Sequence, residues 1–188
     1  MSKEREILLV SENFVRQQTN IADNVAGGYL LPAIREAQEM RLRMILGDSL
    51  LDRIKELLSI GEIGLMKNAA YYDALHKSRY YLAYMAVAML VQKVAYKITN
   101  FGVIKNSDQN VTPASAVEIG DARVYYEARA DFYALQLQRF LLANRYAFKE
   151  LDDCTCRKIK AHLHSAASCG IYLGGVRGKG RRNCDDAC

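Results

Sequence analysis

The chain contains no tryptophan, two prolines and three histidines, and none of its five cysteines comes before Cys154. Each shortage narrows the possibilities. With only Pro32 and Pro113, long stretches are free to be helical. A main body without cysteine excludes a secreted scaffold stapled by disulfides, which would spread its bridges through the loops. A reducing cytoplasm is the expected place of synthesis. His76, His162 and His164 form no evident catalytic set, and no glycine-rich phosphate loop follows a strand. No enzymatic activity, cofactor or metal centre is therefore expected. Long apolar runs are missing too. The stretch YYLAYMAVAMLV, residues 80–91, has twelve uncharged positions, closed by Arg79 on one side and by Gln92 and Lys93 on the other. A membrane span needs about 20. The apolar run Ile7–Val10 is also too short for a secretory signal, which needs roughly 7–15.

What remains is a composition suited to one domain with a real core: 188 residues, 51% hydrophobic and 25% charged. The formal charge of +5 permits contact with nucleic acid or an acidic partner without requiring it. No internal repeat or domain linker is visible. A helical domain over 1–169 and an extended Gly/Arg-rich tail over 170–188 are expected.

Along the chain, Ser11 is a candidate cap for a short helical turn, and Gly27-Gly28 reads as a break. Pro32 suits the first turn of a helix running to Leu46. Gly47 ends that helix and Asp48 can cap the next. A long helix is predicted from about Asn68 to Ile98. Residues 99–112 read as a loop with room for a short strand. Thr112-Pro113 can open a second long helix reaching Asn144, and a shorter helix is predicted over 153–165. The fold class is thus all-α, a bundle of about five helices with two long central ones.

The second long helix carries two apolar stripes at 3.6 residues per turn. Val117, Val124, Tyr125, Ala128, Phe132, Leu135 and Leu142 form one arc. Tyr126, Ala130, Tyr133, Leu137, Phe140 and Leu141 form the opposite one. A surface helix of a monomer needs only one. Two stripes suggest the domain's own core on one side and another subunit on the other, the plainer alternative being a five-helix bundle that surrounds the helix by itself. Tyr126, Tyr133, Leu137 and Phe140 are taken as the partner-binding anchors. Asp121 and Arg139 interrupt the first arc and are expected to reach water at the bundle ends. The first long helix, with Tyr71, Tyr72, Tyr80, Tyr81, Tyr84 and Tyr96, is expected to be shared between core and interface in the same way.

The segment CTCRKIKAHLHSAASC places Cys154, Cys156, His162, His164 and Cys169 close together. The Cys-x-Cys and His-x-His spacings are tighter than zinc sites use, and free thiols are the simpler reading. Beyond it, Tyr172, Leu173, Arg177, Lys179, Arg181 and Arg182 are candidates for contact with a partner or with phosphates. A small nucleic-acid-binding or zinc-binding regulatory protein using this basic, Cys-rich end is the alternative reading.

Three stretches taken together, PAIREAQEMRLRMILGDSLLDRIKELL, KITNFGVIKNSDQNVTPAS and RVYYEARADFYALQLQRFLLANRYAFKEL, resemble the small head-completion proteins of phages and prophages of gut Bacteroidetes. The order and spacing of their AQ…LGD, TN.GV and PAS elements carry the likeness over roughly residues 20–175. In crAss-like phages such proteins form a ring beneath the portal. The resemblance implies a head–tail adaptor in the virion: a helical bundle in a ring of about twelve copies. Its partners would be sister copies, the portal protein, adjacent connector or tail rings, and passing double-stranded DNA without sequence specificity. The tail from Gly170 would clamp the portal or a neighbouring ring.

Overall fold

The structure is a computed structural model and describes residues 6–21, 27–99, 102–105, 115–151, 156, 159, 160 and 163. Among them the chain is an all-α bundle of five rods. Helix α1 spans Glu12–Gln18, and α2 spans Gly27–Glu36. Helix α2 passes through a π-helical segment, Ala37–Leu42, into α3, Arg43–Leu46, as one continuous rod. Helix α4 is Asp48–Ser59, α5 is Ala69–Ala95 and α6 is Ala116–Ala143. Strands β1, Tyr96–Thr99, and β2, Gly102–Lys105, form an antiparallel hairpin at the end of α5, pairing Tyr96 with Lys105 and Thr99 with Gly102. The helical segment expected at 153–165 is described only at Cys156, Ile159, Lys160 and Leu163, all helical. The helix expected to open at Thr112-Pro113 begins instead at Ala116, with an extended Ser115 as its cap; the tail over 170–188 lies outside the described residues.

Helix α5 is the axis of the bundle. Tyr81, Leu82, Ala83, Met85, Ala86, Val87, Ala88 and Leu90 are all buried. The uncharged stretch is therefore covered by its own chain, and no helix among the described residues is long and apolar enough to cross a membrane. Its many alanines let neighbours approach on every side. Helix α6 runs antiparallel to it: Tyr71 meets Phe148, Lys77 lies over the Phe140 ring, and Tyr80 and Tyr84 both meet Tyr133. Helix α2 packs on another side of α5 through Leu30, Ala33 and Ile34.

Polar side chains fasten the N-terminal segment to this core. Gln38, buried on the π segment, accepts a hydrogen bond from the Leu9 backbone N–H at 2.8 Å and donates to the Ile7 carbonyl at 3.1 Å. Arg79 donates to the Leu9 carbonyl and Tyr84 to that of Gln18. Such pairing is what a buried amide requires.

Several local expectations hold. The Phe14 N–H donates to the Ser11 hydroxyl at 3.3 Å, so Ser11 caps α1. Gly47 closes α3 with a φ of 79°, a left-handed conformation that suits glycine. Others need correction. Gly27-Gly28 does not break the chain but forms the first turn of α2, which puts Pro32 inside the helix rather than at its start. The apolar face of Leu30, Ala33 and Ile34 is fully buried, and that burial outweighs the hydrogen bond that Pro32 cannot donate. Helix α5 stops at Ala95, before Ile98, because Tyr96–Thr99 is rich in strand-forming residues and pairs with β2.

Candidate functional site

The face that sets this molecule apart lies on α6. The helix starts with a capping box: the Glu118 N–H donates to the Ser115 hydroxyl at 3.2 Å, and the Ser115 N–H donates to the Glu118 carboxylate at 2.6 Å. Serine followed three positions later by glutamate is the sequence signature of that cap. From there the helix runs 28 residues, about 42 Å.

Its two stripes have different fates. One faces the molecule's own core. Leu137 is 0% exposed, Ala130, Ala134 and Leu141 are buried with it, and Tyr126, Tyr133 and Phe140 pack half-buried against the same core. The Tyr133 ring stacks on both Tyr80 and Tyr84, with centroids 5.4 and 5.5 Å away. Burial raises the pKa of its hydroxyl, as do the neighbouring Tyr84 and Tyr80. Phe140 sits beneath the Lys77 ammonium, 5.3 Å from its ring centre, and touches Phe148 edge-on.

The opposite stripe is uncovered as far as Phe132, whereas Leu135 is half-buried and Leu142 packs against the core. Val117 is 72% exposed, Val124 61%, Tyr125 51% and Phe132 57%. The Arg129 guanidinium lies over the face of the Tyr125 ring, 3.5 Å from its centre. All fully buried residues of α6 come at or after Ala130, so its first half contributes little to the core beyond the half-buried Tyr126. Scattered exposed apolar residues are ordinary, but these four share one helix face, an arrangement that favours interaction with a partner.

The anchors Tyr126, Tyr133, Leu137 and Phe140 are therefore corrected: they belong to the intramolecular stripe, and the outward one is Val117, Val124, Tyr125 and Phe132. Helical periodicity reveals two stripes without saying which one the rest of the chain covers. The usable signal was Ala130 and Ala134, small residues that let α6 lie close against α5. The other anchors, Tyr172, Leu173, Arg177, Lys179, Arg181 and Arg182, lie outside the described residues. So do Cys154, His162, His164 and Cys169; Cys156 is buried as a free thiol.

A second feature is an open cleft of about 850 Å3 between the π segment and the flank of α6, lined in part by Arg41, Met44, Tyr81, Met85 and Gln138. Burial strongly raises the pKa of the Tyr81 hydroxyl on its floor. At its rim, burial disfavours the charge on Glu39, but hydrogen bonds from Lys55, Arg43 and Gln38 prevail and hold its carboxyl at about 2. Arg43 in turn bridges Glu39 and Asp48, joining the π segment to α4. This network works as a clamp between rods.

None of the curated proteins and none of the solved structures compared with the chain matches it. The sequence profile of one protein family does match, over residues 42–161, a stretch that includes α4, α5 and the whole of α6. The chain belongs to that family, described as a family of unknown function (DUF6712).

Proposed function

We propose that this chain is a structural virion protein: a subunit of an oligomeric ring in a phage head–tail connector, below the portal, with no enzymatic activity. One observation carries the reading. The outer stripe of α6 leaves Val117, Val124, Tyr125 and Phe132 uncovered on a helix whose other stripe is already sealed. A ring subunit meets two neighbours and needs apolar surface beyond its own core. The resemblance to head-completion proteins supplies the setting: about twelve copies, contact with portal and adjacent rings, and a channel through which double-stranded DNA passes without sequence-specific contacts. Dense phosphate contacts would hinder that passage.

Native mass measurement of the purified protein, alone and mixed with its portal protein, tests this. A portal-bound ring is expected. A protein that stays monomeric and binds no portal overturns the reading. Truncation after Gly170 is expected to preserve the fold and weaken portal binding; unchanged binding removes the clamp role from the tail.

A further inference from the structure

The outer stripe of α6 carries two opposite charges, Asp121 and Arg139. Both are exposed, and neither has an ion-pair partner among the described residues. Eighteen residues make five full helical turns, so the two side chains leave the helix on one line, about 27 Å apart. They are too distant to pair with each other. Between them on the same face lie Val124, Tyr125, Ala128, Phe132 and the half-buried Leu135.

A single occupant satisfies both charges and covers the residues between them: a second α6 running the opposite way. With residue 130 of the two helices level, each Asp121 faces the other copy's Arg139. The same register sets Tyr125 level with Leu135, and Ala128 level with Phe132, where the small alanine leaves room for the ring. One register meets every requirement twice, as a two-fold interface does. A parallel pairing in register would instead oppose Asp121 to Asp121 and Arg139 to Arg139.

We infer that, without other partners, two copies of this chain pair through antiparallel α6 helices about a two-fold axis near residue 130. This goes beyond the ring reading. A cyclic ring closes through two different faces, whereas this pair uses one face twice. The pair is thus the unassembled form of the subunit, and it opens when the stripe is taken up elsewhere.

Sedimentation equilibrium of the full chain tests it, with circular dichroism as the check on folding. The expected species is a concentration-dependent dimer of the 21.2 kDa chain. Asp121→Arg alone and Arg139→Asp alone each place like charges together at both ends, and each is expected to weaken dimerisation roughly tenfold or more. The double swap restores the dimer, and Phe132→Asp abolishes it. All three positions are exposed, so the helix content of each variant should match that of the unaltered chain diluted to its monomer; should a reversed charge perturb folding, Asp121→Asn and Arg139→Gln give a smaller loss of the same sign. A folded monomer at every concentration overturns the pairing, as does a dimer indifferent to the single swaps. Closed species larger than a dimer, formed by the chain alone, overturn it while leaving the ring reading standing. A dimer that obeys the swaps but binds no portal overturns only the ring.

Discussion

Among single residues, Glu39 and Tyr71 each tie the stability of the fold to pH. Glu39 sits at about 2, below its ordinary value of 4.5, because Lys55, Arg43 and Gln38 stabilise its charged form more than burial penalises it. A depressed carboxylate stabilises the fold at pH values above its unfolded pKa, and that contribution disappears as pH falls from 4.5 toward 2. Glu39→Gln is expected to lower the melting temperature at pH 7 and to flatten its decline across that acid window, as seen by thermal melts at stepped pH. Tyr71 behaves in the opposite sense. Burial, and then its 2.7 Å hydrogen bond to the Glu150 carboxylate, push its hydroxyl up to about 12. The neutral form is the stabilising one, so its contribution is complete below the usual 10 and is lost between 10 and 12. Tyr71→Phe should soften the alkaline unfolding limb in that range, and an unchanged limb would remove Tyr71 from the list of causes.

The two long helices differ in what each side chain is worth. Leu82 is fully buried at the centre of α5, so Leu82→Ala should cost about 2–5 kcal/mol in urea unfolding. Phe132→Ala, on the outer stripe, should cost the dilute monomer under about 0.5 kcal/mol, because an exposed ring leaves no buried cavity behind. Equal losses would mean that the stripe is core after all. Ser115→Ala removes half of the capping box and should cost about 1 kcal/mol, read as faster amide exchange in the first turns of α6. Much at this scale was legible in the sequence. Gly47, the Ser11 cap, the position of both long helices and the double stripe of α6 followed from residue chemistry and period alone. The π segment did not, because Ala37–Leu42 is made of ordinary helix formers and Gln38 is drawn inward by Leu9 and Ile7, far away in sequence. The choice of inner stripe was only faintly marked, by Ala130 and Ala134, since both arcs are otherwise apolar and aromatic.

At the scale of the whole molecule, the prediction from residues that sister copies must hide part of both long helices divides in two. Helix α5 needs no help, being wrapped by its own chain. Helix α6 is not so wrapped: it leaves apolar side chains exposed on one side, mostly toward its start. The forward fourteen residues of α6, 116–129, include none that is buried, so a solitary molecule has little with which to offset the entropy of ordering them. The shape of this segment is therefore conditional on company. In dilute solution it should loosen, and copies that meet should complete the rod for one another. Helicity measured by circular dichroism should rise with protein concentration, and local crowding would then serve as the cue that makes the subunit competent to join others.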